Sequence, residues 1–173
     1  TAKIDPEREQ RAIAITLGTG IGSAFIRSGR LVTSGRGIPP DGEVYTQPFQ
    51  AGTADDYFST RWFINRAKEE QGISVKGVKE LLETADPETI ATIFSNFTTN
   101  LRELLQPLLI EFRPDNLLIG GNISRAWPHF AVELEKWLTP QNIQLHQVLD
   151  GECSACLGAA IAGYPLTDKY AQS

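Results

Sequence analysis

The chain opens on a ten-residue stretch that is mostly polar and charged, and then a short apolar run begins. Ala12, Ile13, Ala14 and Ile15 lead into Thr16-Leu17 and read as a buried strand. Ala24-Phe25-Ile26 reads as a second strand, Ser28-Gly29 as a turn and residues 30–33 as a third strand. Connections this short make the three strands antiparallel neighbours. Residues 34–53 are rich in Gly and Pro and predict a long irregular loop. A loop of that length often binds something, though a plain surface excursion has the same composition.

From Ala54 the pattern turns helical. Tyr57, Phe58, Trp62, Phe63 and Ile64 recur at roughly helical spacing as far as Gln71, and Gly72 offers a stop. Residues 74–84 read as a short helix. Asp86-Pro87-Glu88 supplies an N-cap and then a proline at the first helical position. The helix that follows lines up Ile90, Phe94, Phe97, Leu101, Leu104, Leu105 and Leu108 on one face, suited to packing on a sheet, with a kink or break expected at Pro107. Asn116 to Ile119 predicts a strand, Ser124 an N-cap for a helix through Leu138, residues 143–148 a last strand and residues 155–163 a tight closing helix. Trp62, Trp127 and Trp137 read as core residues. Three antiparallel strands followed by helices alternating with two further strands make an α/β domain with a mixed sheet. Residues 1–10 read as a lead-in, 11–164 as one lobe and 165–173 as a polar tail.

Composition narrows the function. Of 173 residues, 41% are hydrophobic and 21% charged, which is ordinary globular usage and argues against disorder. The formal charge of −5 speaks against a general nucleic-acid binder, whose partner demands a basic face. No apolar run approaches the ~20 residues of a membrane span. The two cysteines, Cys153 and Cys156, exclude a disulfide scaffold. Their CxxC spacing suits zinc or redox chemistry, but two small core-facing thiols beside Ala155 and Ala159 fit better. There is no methionine, so the sequence reads as a piece of a longer protein. Sparse cysteine and no visible signal suggest a cytoplasmic location.

Two glycine-rich stretches could carry chemistry. Gly18, Gly20 and Gly22 alternate between two strands, where consecutive backbone N–H groups could form an anion-binding nest and Thr19 could add a hydroxyl. A strand follows and Ser23 stands where a third glycine would complete a dinucleotide fingerprint, so this is neither that motif nor a Walker loop. The second stretch, Gly120-Gly121-Asn122, sits between a strand and a helix start, where a flat ring could lie against backbone. Either stretch could also be an ordinary turn.

Thr16-Leu17-Gly18-Thr19-Gly20-Ile21-Gly22-Ser23 resembles the second phosphate motif of the ROK family of repressors and sugar kinases. Leu118 to Ser124 resembles its adenosine loop, and Leu157-Gly158-Ala159-Ala160 its closing helix. The resemblance implies a ribonuclease-H-like (actin-like ATPase) lobe that contacts ATP and Mg2+, with phosphate on Gly18, Thr19, Gly20 and Gly22 and adenosine on Gly120, Gly121 and Asn122. It implies that the catalytic aspartate lies in a preceding lobe. Gly42-Glu43 matches the start of the family's sugar motif, with Thr46 at its histidine, and Asp55 stands near its second sugar-binding acid. No cysteine follows Thr46 before Asp55, so a structural zinc is not expected. The implied activity is hexose or hexosamine phosphorylation by a homodimer. The alternatives are a sugar-responsive regulator of the same family, or a binding module without turnover.

Overall fold

The computed structural model describes residues 9–149. The closing helix expected over 155–163, the Cys153/Cys156 pair and the polar tail lie outside the described residues. Strand β1 (Arg11–Leu17) is the centre of a five-stranded sheet. It pairs antiparallel with β2 (Ile21–Arg27), which pairs antiparallel with β3 (Arg30–Val32). On its other side β1 runs parallel to β6 (Asn116–Gly120), which runs parallel to β7 (Gln144–Gln147). The order β3-β2-β1-β6-β7 is the mixed sheet that the sequence predicts. A two-strand hairpin, β4 (Pro48–Phe49) and β5 (Gly52–Thr53), closes the Gly/Pro-rich segment.

Period-two alternation sorts β1 between two clusters. Ile13, Ile15 and Leu17 join Phe25, Leu117 and Ile119 in the main core. Ala12 and Ala14 join Ile26, Leu118 and Val148 in a smaller cluster. The main core is completed by α2 (Thr60–Gln71), α3 (Val78–Thr84), α4 (Pro87–Phe112) and α5 (Ala131–Leu138). Phe63, Phe94, Phe97 and Phe130 meet there with ring centroids 4.9–6.4 Å apart. Trp62 is buried among them, and Trp127 and Trp137 pack at the edge.

Four local expectations are corrected. The helix predicted from Ala54 to Gln71 is two: α1 (Ala54–Tyr57), then an extended Ser59, then α2. Phe58 is drawn fully into the aromatic core, and Thr60 is bonded to the β1–β2 hairpin, so one continuous helix could not satisfy both. Helix α3 begins at Val78, after Gly77, instead of at residue 74. Pro107 does not interrupt α4, which is continuous over 26 residues. A proline inside a helix costs about 3 kcal/mol. Leu101, Leu104, Leu105, Leu109 and Phe112 are buried on either side of it, each contributing roughly 1.5–3 kcal/mol, while Pro107 itself is exposed. Finally, Ser124 caps no α-helix. Residues Asn122–His129 form a 3-10 segment, in which the Ser124 hydroxyl donates to the Gly121 carbonyl at 2.7 Å, and α5 starts only at Ala131.

Candidate functional site

Parallel pairing sets Thr16 level with Gly120, so β1 and β6 end at the same edge of the sheet. The carboxyl ends of neighbouring parallel strands are where open α/β sheets collect ligands. Both glycine stretches leave the sheet there, and they touch. Gly121 has φ +90°, and a Cβ on it would lie 2.3 Å from the Leu17 carbonyl oxygen. A Cβ on Gly18 would lie 3.3 Å from Asn122 Oδ1, and one on Gly120 would lie 3.3 Å from the Val148 carbonyl oxygen. Asn122 is exposed.

The hairpin tip uses its polar groups unevenly. The Gly18 amide donates to the Gly20 carbonyl at 3.0 Å, closing the turn. The Gly18 carbonyl accepts from the Thr60 amide at 2.7 Å and from the Thr60 hydroxyl at 3.0 Å. The Ile21 amide donates to Asp55 Oδ1 at 3.0 Å. Between them, the amides of Thr19 and Gly20 have no hydrogen-bond partner among the described residues. Gly22 lies inside β2 opposite Thr16, whose hydroxyl oxygen would sit 2.4 Å from a Cβ there.

The Glu43 loop is pinned to the sheet by β2. Ser23 Oγ donates to the Gly42 carbonyl at 2.7 Å and accepts from the Val44 amide at 2.9 Å. Val44 is fully buried, while Glu43 and Tyr45 on either side of it are exposed. The Asp55 amide donates to the Tyr45 carbonyl at 3.2 Å, which brings the α1 start alongside this loop. Tyr45 reports the resulting field. A hydrogen bond to Glu43 and the charge of that carboxylate push its phenol above the ordinary range, with smaller contributions from burial and the charges of Asp41 and Asp55. Glu43 and Asp55 thus both act on one phenol, Glu43 the more strongly. Thr46 makes only a 3.4 Å contact from its hydroxyl to the Glu43 carbonyl.

Two residues that sequence reasoning did not single out shape this edge, Tyr45 and Thr60, and a third, Ser23, was read only as the end of the glycine motif and not as an anchor for the Glu43 loop. Thr60 gave no signal, since it fell inside the single helix predicted over residues 54–71. Ser23 and Tyr45 had none, because their roles come from partners about 20 residues away or across a loop. Among the described residues no group of three or more His, Cys, Asp or Glu could hold a metal ion. None of the described helices is long and apolar enough to cross a membrane.

No protein-family model and no curated protein matches the sequence. Solved structures do match the fold. A protein of Cytophaga hutchinsonii assigned as a sugar kinase superposes with a TM-score of 0.69 at 20% identity, over 88% of this chain and 57% of that one. A ROK-family glucokinase from Streptomyces griseus, solved with glucose and AMPPNP, gives 0.58 at 18% identity, over 91% of this chain and 61% of that one. The fold is that of the ROK sugar kinases. A ROK-family transcriptional regulator, a homologue of the E. coli MLC protein, shares it with a TM-score of 0.65 at 15% identity, over 88% of this chain and 45% of that one. The chain spans under two thirds of the length of each of these three structures.

Proposed function

We propose that this chain is the nucleotide-contacting, ribonuclease-H-like lobe of an ATP-dependent hexose kinase of the ROK family. The carrying observation is the junction of the two glycine stretches at the carboxyl ends of β1 and β6, with the Thr19 and Gly20 amides left unpartnered beside it. Two adjacent free N–H groups suit phosphate oxygens. Gly120, Gly121 and Asn122 would face the adenosine. Glu43 and Asp55, whose segments are joined by the Asp55 amide on the Tyr45 carbonyl, would take hydrogen bonds from sugar hydroxyls.

Phosphoryl transfer asks a protein mainly for positioning and electrostatics. The hairpin would hold the phosphates through backbone dipoles that need no reorganisation. A magnesium ion accompanying the nucleotide would supply charge neutralisation at its phosphates. The general base would come from outside these residues. Cytoplasmic location and a homodimer accompany this reading.

The regulator that shares the fold favours a second reading, a sugar-responsive regulator that binds sugar without turning over nucleotide. Amide NMR separates the two. In the ¹⁵N-labelled chain, AMPPNP is expected to shift the Thr19 and Gly20 resonances and to leave Ser28 and Gly29, at the opposite end of β2, in place. Unmoved Thr19 and Gly20 signals at saturating nucleotide would overturn the kinase reading.

A further inference from the structure

The hairpin tip has three consecutive amides, Thr19, Gly20 and Ile21, and of these only Ile21 has a partner among the described residues. Asp55 Oδ1 accepts the Ile21 amide at 3.0 Å, and the same carboxylate lies against Gly20, where a Cβ would meet Oδ1 at 2.3 Å and Oδ2 at 3.5 Å. A carboxylate thus stands directly beside the two open amides. Asp55 is only half-buried, and its backbone is tied elsewhere, through its amide to the Tyr45 carbonyl. Its side chain can therefore leave the hairpin without moving the chain. Among the described residues nothing else secures Ile21 N–H, whereas the other arm of the tip is secured independently by Thr60 on the Gly18 carbonyl.

We infer that Asp55 is a displaceable internal acceptor of the glycine hairpin, so that a polyol hydroxyl drawing Asp55 away releases the Ile21 amide and tightens the grip on polyphosphate. This rests on the functional reading above and adds a coupling to it. The carboxylate both blocks one donor and repels an incoming anion. Its removal adds a charge-assisted hydrogen bond and removes a like charge. Linkage makes the effect reciprocal: polyphosphate in the hairpin frees Asp55 for the polyol.

The experiment titrates inorganic tripolyphosphate into the full chain and into Asp55→Ala and Asp55→Asn, reading affinity and the ¹⁵N amide spectrum. Asp55→Ala is expected to bind about fivefold tighter or more, the lower range of measured couplings, with Ile21 joining Thr19 and Gly20 among the shifted amides. Asp55→Asn keeps the acceptor and loses the charge, so it should fall between. Saturating glucose should tighten tripolyphosphate in the unmodified chain and do nothing in Asp55→Ala. If the hairpin binds tripolyphosphate in all three proteins with equal affinity, or more weakly in the variants, the inference fails and the functional reading stands. No binding at Thr19 and Gly20 in any of the three overturns both. If Asp55→Ala does not fold, Asp55→Asn decides by the same criterion. An unmodified chain indifferent to glucose overturns the coupling.

Discussion

Strand β2 has a glycine-bearing turn at each end, and the two use glycine for different reasons. At Ser28-Gly29 both residues have positive φ, 47° and 73°, the two-residue hairpin geometry that glycine favours for its backbone freedom. At Gly18-Thr19-Gly20 no residue has positive φ. There the missing Cβ leaves room for a neighbour: Asn122 beside Gly18 and the Asp55 carboxylate on Gly20. The first turn is a local matter and would look the same in an isolated hairpin. The second exists only because α1, α2 and the β6 turn converge on it. Glycine required for space marks a place where other parts of the chain, or a ligand, must come close.

The largest effect should fall where space and conformation are demanded together. Gly121 has φ +90°, and a Cβ would collide with three backbone atoms of Leu17 at 2.3–2.8 Å. Backbone in a central strand cannot yield as a side chain can. Gly121→Ala is expected to cost about 3 kcal/mol in urea unfolding, near the upper end for a single strained residue. A cost under about 1 kcal/mol would show that the two loops are not jammed together as described.

Gly20→Ala tests the distinction more finely. Its clash is with a carboxylate, which can swing aside, so the stability cost should stay near 1–2 kcal/mol. Adding Asp55→Gly should recover part of that loss, because the obstacle is gone. Gly29→Ala should cost a similar 1–2 kcal/mol from its left-handed φ. That loss should be indifferent to Asp55, since distant sites add. Equal rescue of both variants by Asp55→Gly would erase the difference between the turns.

The sheet was legible because its signals are local. Residues 12–33 carry three apolar runs with two short connections, and antiparallel pairing follows from the lengths alone. Asp86-Pro87 marked the start of α4, with the Asp86 carboxylate accepting from the Glu88 and Thr89 amides. What the sequence hid was tertiary. Pro107 reads as a break until the flanking leucines are seen buried along the same face. Phe58 reads as one more helical position until its ring is seen against Phe49 and Phe97. At the site, the glycines were visible as glycines, but which amides stay free was not. Asp55 on Ile21 and Thr60 on Gly18 cross 34 and 42 residues, and no spacing rule reaches that far.

The smallest effect comes from a second carboxylate that holds backbone amides, this one with nothing to compete for them. Asp86 caps α4, and its hydrogen bonds from the Thr89 amide, the Thr89 hydroxyl and the Glu88 amide hold its carboxyl below the usual range despite some opposing desolvation. A carboxyl depressed in the folded state stabilises above its unfolded value, about 3.9 for aspartate, and loses that contribution as pH falls through the folded value. Asparagine caps a helix about as well as aspartate and does not titrate. Asp86→Asn should therefore unfold in urea at nearly the same midpoint as the unmodified chain at neutral pH. Below about pH 4 the difference between the two should shift in favour of the variant. Asp56 and Glu111, also held low by their partners, titrate in both proteins and cancel in that difference. A difference that stays flat from pH 7 to pH 3 would mean that the Asp86 charge adds nothing to the cap.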